Sequence, residues 1–174
     1  MPIFLLAFEY VMQYEDSRHT WAVAIDSNGG RVVAGINSKS FPADVAAIVA
    51  VAQAQREPLI QAFYRNKFWM PMLLGALNSQ DLANRVMDAA TNTGQGSAAK
   101  QFQQAINFTQ MDATDALIVD GVVGPKTIAA ANAQDQVALL NAFRKQRVTY
   151  YDQIVAEHPT DTPYLTTWLA RAQA

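Results

Sequence analysis

Hydrophobic residues in the opening segment recur with the spacing of a helix. Phe4, Leu5, Phe8, Val11 and Met12 share one side of a 3.6-residue repeat, and Glu15 follows on the same stripe. This predicts an amphipathic helix whose apolar face runs into a carboxylate. From Thr20 the period changes: Trp21, Val23 and Ile25 alternate with smaller residues, Asp26-Ser27-Asn28-Gly29-Gly30 supplies turn chemistry, and Arg31 to Ile36 resumes extended character. A β-hairpin is expected there. From Asp44 the reading is helical again, with an Ala/Val-rich segment to about Gln55, a second opening at Pro58 and a third near Ser79, Pro71 separating the last two. Asn92-Thr93-Gly94-Gln95-Gly96 reads as a turn, and Ser97 as the cap of a helix running through Phe102 and Ile106. A loop follows from about Thr109 to Val119, then a short helix from Pro125, a long one over about Asp135 to Glu157, and a last one opened by Thr162-Pro163 and carrying Trp168. The predicted class is mainly α with a minor β part, a helical bundle with one small β-hairpin directly after the first helix.

A chain of 174 residues can bury one sizeable core, so residues 1–174 are expected to form one domain. Hydrophobic residues at 51% against 16% charged place it among globular chains. The net charge of -2 provides no positive field for a phosphate backbone, which argues against nucleic acid as a partner. With no cysteine there is neither a disulfide framework nor a thiolate metal site. The apolar opening Met1 to Phe8 has no basic start, meets Glu9 at once and lacks a small-residue cleavage site, so it reads as helix and not as a signal peptide. No apolar run approaches the roughly 20 residues of a membrane span, and stable membrane insertion is not expected.

Among groups that could do chemistry, Glu15 stands out. Its apolar helix face and the negative end of the helix macrodipole both disfavour a charged carboxyl group, the condition a general acid requires. From spacing alone, a glutamate at a helix end pointing into solvent is the more ordinary reading. Asp26 is a second carboxylate close in sequence, able to act as a base or to stabilise an oxocarbenium ion, although Asp before Ser-Asn-Gly is also plain turn chemistry. Asp16 points to another side of the helix and reads as a solvated charge. His19 and His158 have no ligand partners at metal spacing, so neither a metal nor a cofactor is expected. No serine stands in a Gly-x-Ser-x-Gly setting, which disfavours acyl transfer. Tyr64, Phe68 and Trp69 follow helical spacing, for which core packing is the default and sugar stacking the alternative.

Several segments together resemble the glycoside hydrolase family 108 muramidases. The family's catalytic Glu at a helix end, Asp-x-Gly-Gly turn and Gly-Ile pair are similar to Glu15, Asp26 to Gly30 and Gly35-Ile36. Its Tyr-Arg-x-x-aromatic-Trp segment resembles Tyr64 to Trp69, and its Asp-x-x-x-Asn-x-Gly segment resembles Asp88 to Gly94, followed by Gln101, Phe102 and Gln103. Asp120-Gly121-Val122-Val123-Gly124-Pro125-Lys126-Thr127 looks like the Asp-Gly-x-x-Gly-Pro-x-Thr signature of peptidoglycan-binding modules, and Arg147 to Tyr151 and Trp168 to Arg171 fit the closing helices. Two departures stand out: Tyr14-Glu15-Asp16-Ser17 replaces the usual His-Glu-Gly-Gly, and Val32 stands where the family has a threonine.

The resemblance implies a lysozyme-like N-acetylmuramidase that cleaves between N-acetylmuramic acid and N-acetylglucosamine, with Glu15 and Asp26 catalytic and Tyr64, Trp69, Asn92 and Asp120 binding substrate. Residues 1–95 would be the catalytic part and 96–174 a peptidoglycan-binding-like helical part packed on it. Bacterial peptidoglycan strands are the expected partner, and the chain is expected to be monomeric. A lytic transglycosylase, or a non-catalytic wall-binding protein, is the alternative. The site of action would be the cell wall, reached from the cytoplasm through a phage holin or a dedicated secretion apparatus.

Overall fold

In the computed structural model, which describes residues 1–110 and 115–174, the first apolar stripe forms α1 (Phe4–Glu15) and buries Ala7, Phe8, Val11 and Met12. No side chain of its own caps this helix. Instead Gln80, the first residue of α4 (Gln80–Thr93), accepts from the Ile3 amide at 2.6 Å and donates to the Ile3 carbonyl at 3.1 Å, fastening the two helix starts together. The predicted hairpin forms as β1 (Val23–Ile25) and β2 (Arg31–Val33), in antiparallel register with Val23 opposite Val33 and Ile25 opposite Arg31. The stretch read as one strand to Ile36 instead breaks at Ala34 and Gly35. Both have positive φ, 45° and 75°, the pattern of a type I′ two-residue turn, so a third strand β3 (Ile36–Asn37) folds back on β2.

The predicted helix from Asp44 to Gln55 is shorter in the structure. α2 (Pro42–Val49) buries Val45 and Ile48, and once that stripe runs out only a 3₁₀ turn at Gln53–Gln55 follows. Next, α3 (Glu57–Tyr64) widens into a π turn over Arg65–Trp69; the wider turn carries Phe68 and Trp69, neighbours in sequence, both into the core. α5 (Gln95–Thr109) begins one residue after α4 ends, because Gly94 at φ 81° reverses the chain by itself. Ser97 is therefore inside the helix and does not cap it. α6 (Pro125–Asn132) is followed by α7 (Gln136–Glu157), capped by the Asp135 side chain at the Ala138 amide. In α8 (Thr162–Gln173) the expected cap Thr162 is already helical and donates its hydroxyl to the Pro159 carbonyl. The loop expected from Thr109 to Val119 lies partly outside the described residues. The mainly helical class holds, with the hairpin extended to a three-stranded sheet. No helix among the described residues is long and apolar enough to cross a membrane.

α4 is the central element, packed by α1, α5 and α7, and nearly every residue from Leu82 to Ala90 is buried. That burial includes a charge. Asp88 is fully buried, and its Oδ2 accepts from Nη2 of Arg147 at 2.8 Å, itself fully buried on α7. Arg147 sits in line with Leu139, Phe143 and Tyr151, a four-residue spacing that puts the guanidinium on an otherwise apolar stripe. Removing one member of such a pair leaves the other charged and desolvated. Asp88→Ala is therefore expected to lower the unfolding free energy in urea by about 3–5 kcal/mol. A loss below about 1 kcal/mol, the scale of a surface ion pair, would contradict the assignment.

Candidate active site

Glu15 closes α1, and its carboxylate is gripped from two sides. Oε1 accepts from Nη2 of Arg171 at 2.7 Å, with the two side chains only 19% and 12% exposed. On the other side lies the β2–β3 turn: a Cβ on Gly35 would come within 2.9 Å of Glu15 Cδ and closer still to Oε2. Only glycine fits that place. Arg171 is held in turn by Asp88, whose Oδ1 accepts from its Nε at 2.9 Å, and its guanidinium lies 4.6 Å from the centre of the Tyr14 ring. Burial opposes the charge of Arg171, but Asp88 and then Glu15 outweigh it and hold the guanidinium more firmly protonated than usual. The environment of Glu15 thus differs from the sequence expectation of a purely apolar surround, because a cation from the far end of the chain joins it.

The turn beside Glu15 is held in a strained shape. Ala34 is in the left-handed region, where a side chain is disfavoured. The Tyr64 hydroxyl donates to the Ala34 carbonyl at 2.7 Å and helps to fix it. Burial, then the nearby charge of Glu15, push the Tyr64 hydroxyl pKa well up, so it remains a donor. The chain between α1 and β1 is also pinned. Asp16, expected as a solvated charge, accepts from the Thr20 amide, the Thr20 hydroxyl and the Trp21 amide, the last at 2.7 Å. It staples the loop that leaves the helix.

Asp26 sits at the opposite end of β2 from the Glu15 turn. Its Oδ1 accepts from the amides of Asn28 at 2.9 Å and Gly30 at 2.7 Å, and its Oδ2 accepts from the Asn37 side chain. The four residues expected to meet substrate are spread out and share no hydrogen-bond partner among the described residues. Tyr64 and Trp69 turn into the core, at 1% and 7% exposure. Asn92 is exposed on the last turn of α4 and accepts from the Tyr151 hydroxyl. Asp120 is exposed and accepts from the Gln103 side chain and the Val122 amide. Buried Gln103 also accepts from the Gly121 amide, so the Asp120 to Pro125 motif is knitted into a turn ahead of α6. Sequence reasoning assigned no role to Asp88, Arg147 or Arg171, although all three lie in segments it singled out. An arginine on the apolar stripe of α7 was the available signal.

The family model described as Glycosyl hydrolase 108 matches residues 8–94, and the model described as Predicted Peptidoglycan domain matches residues 97–173. The boundary falls at the reversal around Gly94. No curated protein matches the chain. Among solved structures, that of Brucella abortus SagA is similar, with a TM-score of 0.65 at 19% identity over 98% of this chain and 93% of that one. This likeness is one of fold.

The Asp26 contacts predict a pH response. The Gly30 amide first, then the Asn37 side chain, bond the charged form and hold its pKa below the usual carboxylate value, burial opposing them slightly. A lowered folded-state pKa means that the contribution is complete above the ordinary value and is lost as pH falls through the lowered one. Hydrogen-exchange protection of the Asn28 and Gly30 amides should hold down to about pH 4, the unperturbed range, and fail only below it. Failure beginning near neutrality, or an Asp26→Asn variant with the same acid profile, would count against this.

Proposed function

The chain belongs to the Glycosyl hydrolase 108 family, and from that premise we propose that it is a peptidoglycan muramidase. In this reading it cleaves between N-acetylmuramic acid and N-acetylglucosamine, with Glu15 as general acid. The C-terminal match to a predicted peptidoglycan domain supports the wall polymer as its partner and the cell wall as its place of action. Residues 1–95 and 96–174 then work as one unit, the first carrying the acid and the second carrying the guanidinium that orients it. The observation that carries this reading is the Glu15–Arg171 pair wedged against the Gly35 turn.

A glycosidic oxygen leaves readily only when it is protonated as the bond breaks. Arg171 occupies Oε1 of Glu15, which leaves Oε2 to deliver the proton. Arg171 favours the charged form of Glu15, so its catalytic gain belongs to the complex in which Glu15 carries the proton: as that proton departs, negative charge grows on a carboxylate facing a fixed cation, and the transition state gains more than the protonated ground state. Asp26, kept ionised by its hydrogen bonds, supplies the second carboxylate for the oxocarbenium-like sugar. Tyr64 serves from within the wall of the site by fixing the strained turn, Trp69 packs on Phe4 at the other end of α1 and takes no part in binding, and Asn92 and Asp120 meet the glycan from the surface.

A lytic transglycosylase is the second reading, and Val32 is what favours it. Val32 lies opposite Ala24 and Asn37 in the sheet and has no polar atom to hold a water. Asn37 is itself committed to Asp26 and to the Lys39 amide. We favour hydrolysis because Asp26 remains ionised and can orient water itself. Mass spectrometry of digested peptidoglycan tests both points. Reducing muramic ends are expected, falling by about 100-fold or more in Glu15→Gln, the scale of lost general-acid catalysis, and rising in Val32→Thr. Anhydromuramic ends would overturn hydrolysis. Undiminished cleavage by Glu15→Gln would overturn the acid assignment.

A further inference from the structure

A guanidinium carries five N–H groups, and the fold uses only some of those on Arg171. Its Nε donates to Asp88 Oδ1 at 2.9 Å, while its Nη2 lies 2.8 Å from that oxygen and 2.7 Å from Glu15 Oε1. Its Nη1 donates to nothing among the described residues and is open to solvent, unlike the unpartnered Nε of Arg147, which is closed off. Tyr14, 38% exposed, lies against one face of the same guanidinium, so an acceptor meets Nη1 in the plane of the group. The charges here balance only while Glu15 is ionised, Arg147 and Arg171 standing against Asp88 and Glu15. Other titratable groups nearby do not change that balance: burial keeps the hydroxyls of Tyr64 and Tyr151 neutral, and Asp16 is committed to the amides of Thr20 and Trp21. A general acid must carry its proton. Once Glu15 does, one positive charge is left without a partner, beside an open donor.

We propose that Arg171 Nη1 is the binding point for a carboxylate of the substrate, and that filling it lets Glu15 take up the proton it has to deliver. The inference rests on the muramidase reading for the source of that carboxylate. In the free protein Arg171 favours the ionised form of Glu15. A carboxylate on Nη1 supplies the same countercharge from another side, so the balance closes again with Glu15 protonated. Substrate binding and loading of the acid then become one event. In peptidoglycan the group is found on the muramic residue, whose lactyl ether ends in a carboxylate of its own or is extended by a stem peptide that carries others. A glucosamine residue has none. Arg171 is thus a specificity-determining residue as well as the cation that holds Glu15. Because its attraction for the ligand goes into protonating Glu15, little of it appears as affinity near neutral pH.

Isothermal titration calorimetry of the full-length chain, run in two buffers of different ionisation enthalpy, counts the protons taken up on binding. One probe is the disaccharide of N-acetylglucosamine and N-acetylmuramic acid with the muramic residue at the reducing end, which has no muramic-to-glucosamine bond to cut. A second is the same disaccharide bearing its stem peptide, and chitobiose, without a carboxylate, is the control. Near neutral pH the wild-type chain is expected to take up about one proton with a carboxylate probe and none with chitobiose. Uptake with the plain disaccharide names the lactyl carboxylate, and uptake only with the stem-bearing one names the peptide. In Glu15→Gln, neutral from the start, uptake should vanish and the carboxylate probe should bind about tenfold more tightly than chitobiose, the scale of a charge-assisted hydrogen bond. Arg171→Ala should lose both effects, and the Glu15→Gln result decides the matter should that variant not fold. No uptake with either carboxylate probe, uptake that persists in Glu15→Gln, or equal affinities in Glu15→Gln would overturn the site. Such a result in a chain that cleaves peptidoglycan leaves the muramidase reading standing, whereas proton-linked binding in a chain that cleaves nothing leaves the site standing without it.

Discussion

Everything around Glu15 depends on one buried carboxylate, Asp88. A charge in the core is tolerated only when it is paired and its oxygens are occupied. Asp88 meets that demand with two arginines, Arg147 on Oδ2 and Arg171 on Oδ1. Arg171 then has a donor left over, and it reaches Glu15. The result is a line of alternating charge, Arg147, Asp88, Arg171, Glu15, in which each member fixes the next. Two members come from the segment matched by the glycosyl hydrolase model and two from the segment matched by the peptidoglycan-domain model. The line therefore gives the C-terminal helices a part in the proposed cleavage site.

The opposite side of Glu15 is constrained by backbone and not by charge. The Ala34-Gly35 turn places a left-handed alanine beside the carboxylate, and the Tyr64 hydroxyl grips that alanine's carbonyl from the core. Strain of this sort persists only where the surroundings over-determine it. Here they do so with a phenol, a two-residue turn and a glycine too close to Glu15 to accept a side chain. Glu15 is thus confined between a cation and a rigid turn, which suits a group that has to deliver a proton to one place.

Much of the architecture was legible because it follows from local period. The stripe Phe8, Val11, Met12 specified α1, and the change to alternation at Val23 specified β1. The third strand was missed because Ala34 is a poor sign of a turn that needs positive φ; only its neighbour Gly35 hinted at one. The helix break after Val49 was missed because Ala and Gln favour helix locally, whereas what ended the helix was the lack of anything further to bury. Glu15 and Asp26 were singled out as candidates by position and by resemblance. Arg171 was not, since its partners lie 83 and 156 residues away and no local pattern encodes such a contact. Tyr64 and Trp69 could be placed on a helix face from spacing, but only the packed structure gives their burial.

If Glu15 is the acid proposed, it is the charge of Arg171, held in place by Asp88, that makes it effective. Steady-state kinetics of Arg171→Ala on a soluble glycan test this most directly, because a group acting on the transition state alters kcat where a merely structural or binding group alters KM or the amount of folded protein. In Arg171→Ala, kcat is expected to fall by about 100-fold, the scale seen when one preorganised electrostatic donor is removed, while KM stays nearly constant. An unchanged kcat with a raised KM would contradict it.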